Sequence, residues 1–219
     1  MSRKANELQI DIANNPARLG KVTGSRVNDI MPSLKTGAYS RSRRTYMLQL
    51  IAQRLTGRAR QSFQTSAMKR GSDLEPEAKQ AYEIATGNLV TDTEFVEHPI
   101  IDMFGASPDG LVEDKNILIE IKCMGDERHL DFLLTGEIPL QYQHQMIAQC
   151  ACTGVPECDF VAYHDEFPKG KEIGIKRFVP TAAEILIVEE EVIFFLEEAE
   201  KLEKTNLFRI YKQHKERQQ

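Results

Sequence analysis

Residues 106–123 read Ala-Ser-Pro-Asp-Gly-Leu-Val-Glu-Asp-Lys-Asn-Ile-Leu-Ile-Glu-Ile-Lys-Cys, and no other stretch narrows the fold as far. Ser107-Pro108-Asp109-Gly110 predicts a turn, because proline fixes φ while aspartate and glycine tolerate the backbone that follows. Asn116 ends a second polar turn, and Ile117 to Lys122 predicts a short strand rich in β-branched residues. Side chains alternate along a strand, so Ile117, Ile119 and Ile121 share one face while Leu118, Glu120 and Lys122 share the other. The second face sets an acid and an ammonium beside an apolar residue, which is costly unless both find partners.

With Asp109 upstream, the pattern is Pro-Asp, a spacer, then Glu-x-Lys. Two carboxylates and one ammonium converging on a point suit metal-dependent phosphodiester hydrolysis. The carboxylates hold a hard divalent cation. The cation polarises the phosphate and acidifies a water, and the lysine orients that water or offsets developing charge. The same residues also fit a plain β-hairpin with a solvated Glu120–Lys122 pair, worth at most about 1 kcal/mol.

A chain of 219 residues, 41% hydrophobic and 28% charged, suits one soluble domain of mixed class with a sizeable core. No apolar run approaches the roughly 20 residues of a membrane span, and Met1-Ser2-Arg3-Lys4 leads into polar sequence without a signal core. No membrane partner is expected. Cys123, Cys150, Cys152 and Cys158 lack the spacing of a disulfide framework, so the cytoplasm is the simplest setting. The net charge of −5 speaks against a polyanionic partner until its distribution is read. Residues 1–75 hold fourteen Lys/Arg against five Asp/Glu, so this third carries +9 and the remainder −14. Arg41, Arg43, Arg44, Arg54, Arg58, Arg60, Lys69 and Arg70 form a cluster dominated by arginine, suited to bidentate phosphate contacts. Such asymmetry points to a polyanion, although an exposed basic helical face would read the same way.

In order along the chain, residues 1–16 predict a short helical or irregular lead-in ending at Pro16. Gly24-Ser25 predicts a helix start before Arg26–Met31 with Ser25 near the N-cap, and with Arg18 nearby this terminus reads either as a phosphate pocket or as a plain cap beside a solvated arginine. A helix is expected from Arg43 to about Leu55, closed by Thr56-Gly57. A second is expected after Gly71-Ser72-Asp73, running to Thr86-Gly87 with Pro76 in its first turn. Glu75, with Glu77 as its rival, either joins an acidic site or merely favours that helix start. Leu89–Glu97 and Ile100–Ala106 predict strands which, with Leu111–Val112 and the Ile117 strand, form a meandering sheet. Leu130–Leu134 predicts a short helix, and Arg128 just before it reads as a DNA contact or a solvated side chain. Pro139 opens a helix through Gly154 whose Gln141, Gln143, Gln145 and Gln149 donate without adding charge. Strands are expected at Asp159–Tyr163 and Glu172–Val179. A long acidic helix follows from Thr181 to about Lys204, its apolar stripe including Leu186, and Lys212–Gln219 reads as a polar end. We expect one domain over 1–219: a basic helical third (1–87), a catalytic sheet with helices (88–205) and a polar tail (206–219).

Taken together, these motifs resemble the PD-(D/E)-x-K nuclease superfamily, and one branch in particular, the lambda exonuclease family of YqaJ-like viral recombinase exonucleases. The likeness runs from about Arg18 to Tyr163. Its elements occur in family order: Arg18…Thr23-Gly24-Ser25, Gly71…Glu75, Ser107-Pro108-Asp109-Gly110, Ile119-Glu120-Ile121-Lys122-Cys123 and Tyr142-x-x-Gln145. Where the family often carries a tryptophan, four residues before the arginine, this chain has Asn14, and it has no tryptophan at all. The resemblance implies an α/β (α+β), restriction-endonuclease-like fold with a mixed central sheet flanked by helices. It implies a Mg²⁺-dependent (or Mn²⁺-dependent) 5′-to-3′ exonuclease acting on linear double-stranded DNA ends. The products are 3′ overhangs for a single-strand annealing partner in phage-type recombination. The resemblance further implies a toroidal homotrimer in a bacterial host cytoplasm, encoded by phage or prophage. Carried over by motif, Asp109, Glu120 and the Ile121 carbonyl hold one ion, Glu75 with Asp109 supports a second, and Lys122 positions water. Arg18, Ser25, Ser107 and Gln145 would grip a terminal 5′-phosphate. Two other readings remain open: another branch of the superfamily (an endonuclease, or an iron–sulfur-bearing helicase-associated nuclease), and a noncatalytic DNA-binding recombination accessory protein.

Overall fold

The isoleucine strand lies inside a four-stranded sheet of a computed structural model that describes residues 16–33, 35–59 and 66–216, without the side chains of 67, 68 and 205–216. The strands in chain order are β1 (Val22–Thr23), β2 (Val96–Glu97), β3 (Phe104–Ala106), β4 (Gly110–Val112), β5 (Ile117–Cys123), β6 (Cys158–Tyr163) and β7 (Ile173–Phe178). The α-helices are α1 (Val27–Ile30), α2 (Arg41–Thr56), α3 (Ser66–Thr86), α4 (Asp126–Thr135), α5 (Leu140–Thr153) and α6 (Ala182–Glu216). The main sheet has the order β4-β5-β6-β7 and is mixed: β5 and β6 are parallel, and the outer pairings are antiparallel. The parallel pair requires a crossover, which α4 and α5 provide.

The two faces of β5 divide the core as their alternation demands. Ile117, Ile119 and Ile121 pack with Ala78 and Tyr82 of α3, while Leu118 packs with Phe132, Met146, Cys150 and Phe160 under α4 and α5. A third cluster joins the N-terminal segment to α2, α5 and α6 through Val22, Val27, Leu50, Ala148, Val192 and Phe195. Within it Tyr46 stacks on Phe195, with ring centres 5.6 Å apart, and the buried Arg43 pairs with Glu198. α2 in turn holds the segment before α1. The Tyr46 hydroxyl accepts the Thr23 N–H at 3.0 Å, Gln53 Oε1 accepts the Gly20 N–H at 3.0 Å, and Arg54 Nε donates to the Gly20 carbonyl at 2.9 Å.

Several local expectations are overturned. The meander is two sheets, because β3 leaves β4 and β5 to pair with β1 and β2 in a small sheet of order β1-β3-β2. Its predicted first half, from Ile100, is a turn. His98 Nδ1 accepts the N–H groups of Ile100 and Ile101 at 3.2 and 2.9 Å, and Met103 adopts φ 64°. Of the strand expected over Leu89–Glu97, Val96 and Glu97 pair with β3, and Thr91 forms an isolated bridge to Leu111. The helix expected after Asp73 is already formed at Ser66 and carries Pro76 in its interior. An interior proline removes one helical hydrogen bond and costs about 3 kcal/mol. Tertiary anchors on both sides outweigh it: Arg70 pairs with Asp165 and reaches the Met124 carbonyl at 3.4 Å, and Ala78 and Tyr82 are fully buried beyond it.

Ser25 does not cap a helix. It sits exposed in a 3-10 turn, Gly24–Arg26, with its hydroxyl 3.5 Å from Thr23 Oγ1. Nor does the long helix end at about Lys204, since no glycine or proline interrupts the chain after Thr181 and α6 continues to Glu216. Leu186, assigned to the apolar stripe of that helix, is instead exposed. The lead-in over residues 1–15 with Asn14, and Arg60, lie outside the described residues.

Candidate active site

The turn before β4 returns Asp109 against β5. Its N–H donates to the Ile119 carbonyl at 3.1 Å, and its Oδ2 accepts the Ile121 N–H at 2.7 Å. The aspartate thus extends the β4–β5 pairing with its side chain. Glu120, on the opposite face from the isoleucines, is fully buried. Its Oε2 accepts a 2.6 Å hydrogen bond from Gln149 Nε2 of α5. Its Oε1 lies against the Lys122 ammonium as an ion pair but receives no hydrogen bond of ordinary geometry. Lys122 Nζ also stands 5.2 Å from the centre of the Tyr142 ring, which stacks on Phe160 at 5.6 Å.

Electrostatics ties these groups together. Burial first, then the neighbouring Glu120 carboxylate, pushes Asp109 well above the usual aspartate range, and Lys122 and the Ile121 N–H offset part of this. Burial alone lowers the Lys122 ammonium, but Glu120 and Asp109 outweigh it and hold the lysine above its ordinary value. Lys122 is therefore a cation here, suited to orienting a water or balancing charge. On α3, the half-buried Glu75 joins the same field. Burial raises its carboxyl, while Lys79, Lys122 and Glu120 all act on it. Its rival Glu77 is engaged elsewhere, accepting the Tyr163 hydroxyl at 2.5 Å.

Small residues draw the other expected positions toward this centre. A Cβ on Gly24 would lie 3.0 Å from Ala106 Cβ and 3.5 Å from Ala148 Cβ, so the Ser25 turn, the chain at Ser107 and α5 are in close contact. The Ser107 carbonyl accepts from Gln149 Nε2 at 3.4 Å. Gln145 lies half-buried one turn before Gln149 on α5. Arg18 ends a 3-10 turn with its guanidinium 5.8 Å from the Phe95 ring centre, and burial lowers its ordinary value. Phe95 covers Gly105, two residues before Ser107. Arg128 is exposed on α4, at a cleft of ≈ 450 Å³ that also takes in Asn28 and Tyr142.

Among the described residues, the members of the basic cluster have different surroundings. Arg43 is buried against Glu198, Arg54 is spent on Gly20, Arg70 on Asp165 and Lys69 on Asp73, while Arg41, Arg44 and Arg58 remain exposed. The residue that sequence reasoning undervalued is Gln149. It was grouped with the other helical glutamines, and only its spacing of four from Gln145 hinted that the two share a helix face. Among the described residues, no three His, Cys, Asp or Glu side chains converge as a ready-made metal cage. The cysteines are free thiols, and burial pushes Cys150 and Cys152 up to about 12.

A mixed sheet flanked by helices, with Asp109 folded onto the strand that carries Glu120 and Lys122, defines a restriction-endonuclease-like nuclease. Residues 15–156 match the YqaJ-like viral recombinase domain. The chain belongs to that family. It is 42% identical to the alkaline exonuclease LHK-Exo from Laribacter hongkongensis, whose crystal structure superposes with a TM-score of 0.83 over 94% of this chain and 98% of that one. The complex of LHK-Exo with dAMP gives 44% identity and a TM-score of 0.82, over 90% and 96% of the two chains. A phage-related exonuclease from Haemophilus somnus 129PT shares the fold at 15% identity, with a TM-score of 0.64 over 86% and 97%. No curated protein matches the chain.

Proposed function

We propose that this protein is a divalent-metal-dependent 5′-to-3′ exonuclease that degrades one strand from the ends of linear duplex DNA. The 3′ overhangs it leaves would serve a single-strand annealing partner in phage-type recombination. The observation that carries the reading is the meeting of Asp109, Glu120 and Lys122 at one end of β5, with Ser107 and α5 alongside.

The donor set suits Mg²⁺ or Mn²⁺. The buried Glu120 Oε1 faces Lys122 but has no conventional hydrogen bond, and burial first, then the acidic neighbours, push the Asp109 carboxyl up, so a divalent cation would stabilise both carboxylates. Mg²⁺ keeps several waters and takes one or two carboxylates plus substrate phosphate, so a closed cage of three acids is not required. Asp109, Glu120 and the Ile121 carbonyl would hold one ion, and Glu75 with Asp109 would support a second. When bound, the ions supply Lewis acidity and an acidified water.

The chain's own residues do the rest. Gln149 holds Glu120, and the Ile121 N–H holds Asp109, so neither carboxylate has to reorganise on binding DNA. The Lys122 ammonium orients the attacking water and offsets charge on the phosphate. Arg18, Ser25, Ser107 and Gln145 grip the terminal 5′-phosphate and so fix which strand is cut, with Arg128 lying along the path of the DNA.

End-labelled duplexes with 5′-phosphate or 5′-hydroxyl termini test the reading beside closed circular DNA. Loss of nucleotides from 5′-phosphorylated linear ends is expected, with slower loss from hydroxyl ends and none from circles. Cutting of closed circles would point to an endonuclease, and equal digestion of both termini would remove the phosphate grip.

A further inference from the structure

Gln149 is a fully buried amide in a helix whose neighbours Met146 and Cys150 are core residues. A leucine there would continue that packing without the cost of desolvating an amide. The glutamine is instead satisfied on every side. Nε2 donates to Glu120 Oε2 at 2.6 Å and to the Ser107 carbonyl at 3.4 Å, and Oε1 faces Cys158 Sγ at 3.9 Å. Reversing the amide would turn an oxygen toward the carboxylate, so these contacts fix one orientation. A single side chain on α5 thereby touches both halves of the Pro-Asp…Glu-x-Lys motif: the strand end that leads into Asp109, and the acid itself. Within Glu120 it engages one oxygen and leaves the other, Oε1, facing Lys122.

We propose that Gln149 is a positioning residue for the metal site. By holding Glu120 Oε2, it presents Oε1 to the divalent ion and fixes the distance between the Glu120 carboxylate and the Ser107–Asp109 turn. This rests on the nuclease reading above and deepens it. Partners that orient a metal ligand in this way are typically worth about 10–100-fold in metal affinity. Without the amide, Oε2 is a buried carboxylate oxygen with no donor, and Glu120 is free to turn both oxygens onto Lys122, away from the ion.

The test uses the full-length protein and Gln149→Met, which keeps the length and apolar bulk of the side chain but removes the donor. Titration calorimetry with Mn²⁺ alone should show binding weakened about 10–100-fold. The Mg²⁺ concentration for half-maximal digestion of linear duplex should rise in parallel, with kcat largely restored at saturating Mg²⁺, and the metal-free protein should still melt cooperatively, at a lower temperature because Oε2 has lost its donor. Equal Mn²⁺ affinity in the variant and the unaltered protein would overturn the assignment of Gln149 while leaving the nuclease reading intact. If the unaltered protein neither takes up Mn²⁺ nor digests DNA, the nuclease reading itself fails and takes the proposal with it. Gln149→Leu is the second variant. Loss of a cooperative melt in both would assign Gln149 to core stability and overturn the positioning role.

Discussion

Lys122 gathers the opposing demands on this site. Its stem leaves the strand beside a buried glutamate, its ammonium faces the Tyr142 ring, and the surrounding acids keep it charged. Lys122→Ala should bind linear duplex in EDTA as the unaltered protein does, yet lose at least about 100-fold in kcat, the usual scale for a group acting on proton transfer or charge in the transition state. A variant within tenfold of normal turnover would exclude Lys122 from the chemistry. Asp109 gives a second expectation, in stability. Its carboxyl sits above its ordinary value of 3.8, so the folded protein holds that proton more tightly than the unfolded chain does. Ionising it therefore costs stability, and that cost is absent below the unfolded value and grows as pH rises through the folded one. Asp109→Asn keeps an oxygen for the Ile121 N–H and removes the charge. In EDTA at about pH 8 its Tm should exceed the unaltered protein's, because the ionised carboxylate is the form that burial penalises. The gap should close toward about pH 4. A variant that melts lower at about pH 8 would mean the aspartate is not under electrostatic strain.

Among the elements, α5 joins the acids to the expected phosphate grip. Gln149 meets Glu120 from this helix, and Ala148 packs under Gly24, which carries Ser25. Gly24→Val would push against Ala106 and Ala148 and displace the Ser25 turn without touching Asp109 or Glu120. The preference for 5′-phosphate over 5′-hydroxyl ends should fall toward one, measured as the ratio of digestion rates. A preserved preference would separate Ser25 from end recognition. These elements also show what the sequence can disclose. The division of Ile117, Ile119 and Ile121 from Glu120 and Lys122 needed only the two-residue period of a strand. Likewise, α5 announced itself by Pro139 and Gly154. The early start of α3 did not, because its anchor at Asp165 lies 95 residues beyond Arg70. The fate of Arg43 was hidden in the same way, by a partner 155 residues away, so local charge density could not separate it from the exposed arginines of its cluster. Residues 100–103 turned on His98 accepting two backbone N–H groups, a choice between strand and turn that composition does not reveal.

For the whole molecule, the family resemblance implies a ring of three copies, and the surface offers material for an interface. Leu186, Ile187, Ile193 and Phe194 are all exposed on α6, and Ile84 and Leu89 are exposed at the end of α3. Light scattering on the purified protein should give a mass close to three times 24.9 kDa. A stable single-copy mass at micromolar concentration would refute the ring. The stacking of Tyr46 on Phe195 has a consequence of another kind. Tyr46 accepts the Thr23 N–H and so steadies the segment bearing Arg18 and Ser25, yet its own backing comes from the last helix of the chain. Translation delivers Tyr46 long before Phe195. A polypeptide still being translated therefore lacks the ring that backs Tyr46 and, through Tyr46, the Thr23 segment.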